Sequence, residues 1–484
     1  MKREQIRTPL LDALTAYRNQ SPAYFRIPGH RYERGISPRW LEQVGGAIFG
    51  YDLSEAEGLD DLHNPQGVIR EAQELAAEAF GADHTYFLVN GTTCGNEAMI
   101  LSTVWEGETI LVPRNAHKSI LMGLILSGAK PAWLMPQLLE NGLVGGVTPE
   151  SVEEAFQRHP QAKGVLLVSP TYYGLCSDLQ TIGEICHRRG ALLLVDEAHG
   201  AHLSFSSKLP LGALQQGADL CAQSIHKVAG SLTQSSLLHI QGKLADRMRV
   251  EQSLRMVQST SPSYLLMASL DAARCELAVH GEQLMDRACE LAAQARKEIR
   301  EISGMECIGQ ELVGQGGIAA VDPTRLVFSG RKLGLTGYQL QELLYEQSGV
   351  TLELADHRYV VGVITAANTE DEIHRLIQGI RKLSHRETSV ELEDYSQRPL
   401  PGIPPMVCTP REAWGASVED VPWEQTVGRI AGQALAPYPP GIPAIYPGER
   451  MTEEIWNYLE EFRKKGYPIH GAKQNLQVFS CIRE

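Results

Sequence analysis

The sequence has no Cys-x-x-C pair, no apolar run approaching ~20 residues and no surplus of positive charge. Its nine cysteines are scattered and odd in number. That argues against a disulfide framework and a zinc ribbon, and makes a reducing cytoplasm the expected compartment. Lys and Arg number 44 against 58 for Asp and Glu, a formal charge of −14, so nucleic acid is not expected as a partner. Moderate acidity suits cationic substrates, and simple solubility explains it equally well. The opening Met1-Lys-Arg-Glu-Gln-Ile-Arg7 carries charge with no apolar core behind it, so neither an export signal nor a membrane span is expected. Internal repeats and low-complexity runs are also missing. His199 and His202 stand close together, but no third and fourth ligand follows at a suitable spacing, and no metal is expected.

What is present is an ordinary globular composition, 43% hydrophobic and 21% charged over 484 residues, with room for about two to four structural units and a large core. Residues 8–20 read as an amphipathic helix, with Thr8 as N-cap, Pro9 at the first position and Leu10, Leu11, Leu14 and Tyr17 on one face. Standing apart from the main pattern, it is expected to be an arm packing on a partner or on the body of the protein. Phe25-Arg-Ile-Pro-Gly-His-Arg31 reads as a turn, and Tyr51 to His63 as an acidic stretch without periodicity. A helix is predicted from Asn64 and Pro65 through Val68, Ile69, Ala72, Leu75 and Ala76, stopping at Gly81.

Strands and helices then alternate. Strand Thr85 to Asn90 leads into Gly91-Thr-Thr-Cys-Gly-Asn96, which opens a helix through Leu101; strands Thr109 to Val112 and Gly164 to Val168, a helix over 178–189 and strands ending at Asp196 and Gln223 follow. Right-handed crossovers make such a succession one mostly parallel sheet. A long helical region covers 265–302. A smaller α/β unit comes next: strand Arg325 to Phe328, helix Thr336 to Gln347, strand Tyr359 to Ile364 and helix Thr369 to Leu383. Residues 385–410, with Pro399, Pro401, Pro404 and Pro405, mark a linker, and a proline-rich segment runs from Ala436 to Glu449.

Two stretches carry the chemistry. Lys227 follows a short apolar run and sits among Ser224, His226, Gly230 and Ser231, a poor setting for a solvated surface charge. It suits an amine that must condense with an aldehyde, because desolvation lowers a lysine pKa and supplies the neutral nucleophile. Asp196 ends the run Leu192-Leu-Leu-Val195, at the carboxyl end of a strand, where open α/β sheets bind their ligands. An enclosed lysine and a strand-end carboxylate are the pair that pyridoxal phosphate (PLP) requires: one attaches the cofactor, the other keeps its pyridine nitrogen protonated. The Gly91 turn aims backbone N–H groups and the hydroxyls of Thr92 and Thr93 at an anion, phosphate being the natural guest. Glycine turns of this kind are also common in purely structural settings.

Asp196-Glu-Ala-His-Gly200, then Ser224-Ile-His-Lys227 and Leu232-Thr-Gln234, resemble the fold-type I PLP enzymes and, more narrowly, the prokaryotic ornithine/lysine/arginine decarboxylases. The resemblance runs from about Pro28 to Glu449. It implies an α/β fold with a mostly parallel central sheet, a smaller α/β domain and a C-terminal domain. The expected division is an N-terminal arm and loop over 1–64, a PLP-binding large domain over 65–302, a small α/β domain over 303–390 and a C-terminal domain over 391–484. It also implies that His117, in Arg114-Asn-Ala-His-Lys-Ser119, stacks on the pyridine ring, that Thr171 touches the ring edge, and that His199, in the family's Asp-Glu-Ala-His-Gly slot, counts with Lys227, Asp196 and His117 among the catalytic residues. Gly91, Thr92, Thr93, Ser224 and His226 would grip the phosphate together with Thr260 from a neighbouring subunit. Arg31 replaces the lysine usual after Pro-Gly-His. Glu449 is implied as the anchor of the substrate's distal cation, with the acidic residues of 52–61 as the other candidates.

The activity implied is decarboxylation of a basic L-amino acid to its amine, with arginine to agmatine favoured over lysine to cadaverine or ornithine to putrescine. An aminotransferase or acyltransferase of the same fold shares Asp196 and Lys227, and a catalytically silent regulator is the reading from a different class. No wing domain is expected before the Pro-Gly-His turn. A homodimer or dimer of dimers with shared active sites is therefore expected.

Overall fold

The structure, a computed structural model, describes residues 4–385, 399–438 and 441–483. Most of the linker expected at 385–410, and Pro439 and Pro440 of the proline-rich segment, lie outside the described residues. The chain divides into two compact units, Met1–Ser102 with Leu194–Asp286, and Thr103–Leu193 with Arg287–Glu484. Each is built from two separated stretches, because strands distant in sequence pair with one another. The units therefore cut the chain differently from the sequential division expected above.

The first eight strands are β1 (His84–Leu88), β2 (Thr109–Pro113), β3 (Lys130–Leu134), β4 (Gly164–Val168), β5 (Leu175–Cys176), β6 (Leu192–Asp196), β7 (Leu220–Gln223) and β8 (Ser236–Ile240). In the first unit β1 pairs antiparallel with β8, β8 antiparallel with β7, and β7 parallel with β6, where Asp196 stands opposite Ala222. Strands β6, β7 and β8 are buried along almost their whole lengths, as expected of strands covered on both faces. The helix Gly91–Thr103 lies close on this sheet. A Cβ at Gly95 would come within 2.8 Å of Leu88 and 3.1 Å of Ala222, so glycine is what allows the approach.

The helix expected from Asn64 begins instead at Val68 and ends at Phe80, with Gly81 left-handed at φ 76. Its delayed start follows from Asp60, whose carboxylate accepts the N–H groups of Gln66, Gly67, Ile69 and Arg70 and so caps the helix from a distance. Tyr264, at the start of the helix Tyr264–Glu301, donates to the Asp60 carbonyl at 2.6 Å. The arm helix Pro9–Asn19 packs on the body of its own unit: Leu10 and Leu14 are fully buried, and Asp271 Oδ2 accepts the Leu10 N–H at 3.0 Å.

In the second unit β2 pairs parallel with both β3 and β4. A four-stranded antiparallel sheet follows from β9 (Glu306–Ile308), β11 (Arg325–Ser329), β12 (Leu354–Ala355) and β13 (Val360–Val363), while β10 (Ala320–Val321) pairs with β5. Helices Gly337–Ser348 and Glu370–Ser384 begin at capping boxes, Thr336 with Gln339 and Thr369 with Glu372. The residues after 399 have their own core around Trp423, Leu435, Ile445, Ile455, Leu459 and Phe479. Among the described residues no helix is long and apolar enough to cross a membrane, and the nine cysteines are free thiols.

Candidate active site

The first unit gathers most of the expected residues at the carboxyl ends of β6 and β7. Beyond Gln223 the chain makes one helical turn, Ile225–Val228, with Ser224 as its N-cap. Ile225 and Val228, one turn apart, are buried, which leaves His226 and Lys227 on the half-buried side. Lys227 Nζ lies 3.1 Å from His199 Nε2. Asp196 is 3% exposed. Its Oδ2 accepts from the Asn96 amide at 2.7 Å and its Oδ1 from the Ala198 N–H at 3.2 Å.

Hydroxyl groups cluster beside the lysine turn. Thr92 Oγ1 is 2.5 Å from Ser224 Oγ and donates to Ser236 Oγ at 3.3 Å. Thr92 and Thr93 occupy the first turn of the helix that opens at Gly91, whose φ of 67 leaves open space where a side chain would stand. His226 Nδ1 lies 2.8 Å from the Ser235 carbonyl; a carbonyl only accepts, so Nδ1 carries a proton, and Nε2 donates to an anion when it carries one as well. N–H groups at a helix start together with a hydroxyl cluster suit a bound phosphate. The lysine and its histidine suit an electrophile that needs an amine and a proton carrier.

Sequence reasoning missed Asn96 and Ser236. Asn96 left a faint signal, an amide two positions before the apolar run Ala98-Met-Ile100; Ser236 left none beyond its place in a serine-rich stretch.

Thr260 is exposed on a loop tied to the acidic segment, where His63 Nε2 meets the Ser259 carbonyl at 2.8 Å and Arg255 donates to the His63 carbonyl at 3.0 Å. His117 and Thr171 belong to the second unit. His117 is the N-cap of the helix Lys118–Ser127 and accepts from the Ser119 N–H at 3.3 Å, which holds its ring in one orientation. Thr171 Oγ1 accepts from the Leu175 N–H at 3.3 Å and closes the turn into β5.

Glu449 departs from its expected role. It is fully buried in the second unit, and Arg114 grips both oxygens, at 2.7 Å and 2.6 Å. The Tyr446 N–H adds a third bond at 2.7 Å. Arg114 also donates to the carbonyls of Pro443 and Ala444, and lies over the stacked rings of Trp133 and Tyr446. A carboxylate closed in this way secures the C-terminal segment, and it no longer fits the anchor of a substrate cation.

Residues 8–372 match the profile of the Orn/Lys/Arg decarboxylase major domain, and residues 393–478 match that of the C-terminal domain. The chain belongs to the Orn/Lys/Arg decarboxylase family. Over 99% of this chain and 98% of its relative, it is 42% identical to an arginine decarboxylase of Halalkalibacterium halodurans. A Bacillus subtilis arginine decarboxylase is 40% identical over 99% of both chains. Among solved structures, the lysine decarboxylase of Francisella novicida superposes with a TM-score of 0.85 at 20% identity, covering 99% of this chain and 81% of its own.

Proposed function

We propose that this chain decarboxylates arginine to agmatine with PLP as cofactor. The observation that carries the reading is the placement of Asp196 at the end of one strand and of Lys227 just past the end of its parallel neighbour, with a hydroxyl-lined helix start in the same unit. The donor set fits PLP in kind: an amine for its aldehyde, a buried carboxylate for its pyridine nitrogen, and hydroxyl and N–H donors for its phosphate. PLP, when bound, accepts the electron pair that remains on Cα after carbon dioxide leaves.

The residues then divide the work. Lys227 would hold the cofactor through its amine. Asp196, held by Asn96, keeps a proton on the pyridine nitrogen. Ser224, Thr92, Thr93 and His226 would bind the phosphate, with Thr260 of a second copy completing the site in a homodimer. His199 beside the Lys227 amine moves a proton to and from that nitrogen. One proton taken up at Cα balances the loss of carbon dioxide and gives the amine.

The substrate arginine rests on the family and on the named relatives. The test is to incubate the purified protein and PLP with arginine, lysine and ornithine separately, and to identify the product by mass spectrometry while collecting carbon dioxide. Agmatine is the expected amine. Cadaverine or putrescine alone would overturn the substrate, and a keto acid without carbon dioxide would overturn decarboxylation.

A further inference from the structure

One face of the first unit's sheet carries a line of polar side chains in otherwise apolar surroundings. Alternation along the chain sends Glu197, directly after Asp196, to the opposite face. Glu197 is 1% exposed. Its Oε2 accepts from Gln223 Nε2 at 2.7 Å and from the Cys221 thiol at 3.3 Å, and its Oε1 from the Ala213 N–H at 2.8 Å. Gln223 Oε1 lies 3.0 Å from His239 Nε2, and His239 Nδ1 lies 2.7 Å from Thr85 Oγ1. Thr85 stands opposite His239, and His239 opposite Cys221, so the line crosses β1, β8 and β7 to reach the end of β6. Phe80 closes over the His239 ring with the ring centroids 5.1 Å apart. Burial raises the pKa of Glu197 to about 7 and lowers that of His239 to about 3. The titratable groups facing Glu197 are Cys221 and, through Gln223, His239; Asp196 is its chain neighbour.

Buried polar residues in a sheet are commonly less stabilising than apolar residues of the same shape. These stand directly behind the residues whose spacing matters most. Glu197 follows Asp196, and Gln223 precedes the Ser224–Lys227 turn. We propose that Glu197 is a positioning residue: through Gln223 it fixes the ends of β6 and β7 against each other, and so sets the distance between Asp196 and Lys227. The proposal rests on the reading that these two residues hold opposite ends of PLP.

Hydrogen-bond direction makes the proposal testable. With Glu197 ionised, the Gln223 amide donates to it, His239 Nε2 donates to Gln223, and the Thr85 hydroxyl donates to Nδ1. A neutral amide at 197 keeps its oxygen on the Ala213 N–H, turns the Gln223 side chain over and moves His239 to its other tautomer, so that the bonds to Gln223, His239 and Thr85 are still made and the thiol bond from Cys221 alone is given up. An aspartate keeps the charge but falls one methylene short of Gln223.

The experiment compares Glu197→Asp, Glu197→Gln and Gln223→Met with the unsubstituted protein, well below their thermal midpoints. It measures PLP affinity by titrating cofactor-free protein and following the absorbance of the Lys227-linked cofactor, and then kcat and KM separately. Glu197→Asp and Gln223→Met are expected to weaken PLP binding about tenfold and lower kcat by a similar factor, with KM within about twofold, as for other outer partners of a site. Glu197→Gln is expected to stay within about threefold of the unsubstituted protein, because its ladder is intact. Unchanged affinity and kcat in Glu197→Asp and Gln223→Met would overturn the positioning role. So would a Glu197→Gln loss as large as theirs. If the unsubstituted protein itself shows no Lys227-linked absorbance, it is the PLP reading that falls.

Discussion

Asp196 in the first unit and Glu449 in the second are both deeply buried carboxylates, and their surroundings set them to different tasks. Asp196 is oriented by the Asn96 amide and the Ala198 N–H. Glu449 is gripped on both oxygens by the guanidinium of Arg114. Neutral amide N–H groups orient a carboxylate without neutralising it, whereas a guanidinium fork meets both oxygens with a formal positive charge. Burial alone therefore does not mark an acid that meets a ligand; the partners it already holds decide.

Five substitutions probe this contrast, in order of expected effect. Lys227→Ala should lower turnover roughly 10⁴-fold or more and abolish the visible cofactor absorbance with it; absorbance that survives would place the cofactor on another lysine. Asp196→Asn should lower kcat roughly 10²–10³-fold with little change in urea midpoint, whereas Glu449→Gln should destabilise by ~3–5 kcal/mol and keep cofactor absorbance at low temperature. The contrast breaks if the two variants exchange phenotypes.

His239→Gln bears on acid stability. The folded pKa of His239 is depressed to about 3, so its neutral form stabilises the fold above the ordinary histidine value of about 6.5, and that contribution is lost as pH falls from there towards about 3. The unsubstituted protein should therefore lose a few kcal/mol more than His239→Gln over that window, read as thermal midpoint against pH. The smallest effect is expected from Asp60→Ala, which removes the remote cap of the helix Val68–Phe80 and should cost ~1–2 kcal/mol in urea unfolding without changing KM.

The elements with strong local signals were legible in the sequence. The apolar run before Asp196 and the small polar residues around Lys227 placed a strand end and a turn correctly, and the stop at Gly81 and the helix starts expected at Thr336 and Thr369 fall within a residue or two. What escaped was non-local. Asp60 delays the start of a helix from outside it, and nothing in the spacing of Val68 and Ile69 reports that. Glu197, Gln223, His239 and Thr85 meet only because β6, β7, β8 and β1 lie side by side, an order that sequence periodicity does not contain. Glu449 read as an acid that meets a substrate cation, but the cation it meets is Arg114, 335 positions away in the chain.

Arg114 stands three positions before His117, and its guanidinium and carbonyl are engaged by Pro443, Ala444, Tyr446 and Glu449. A protease cut or an engineered stop codon upstream of Pro443 would strip those partners away and strand a charged side chain inside apolar packing. Shortening the protein from that side would thus loosen the footing of the histidine loop, even though every residue assigned to the cofactor would still be encoded.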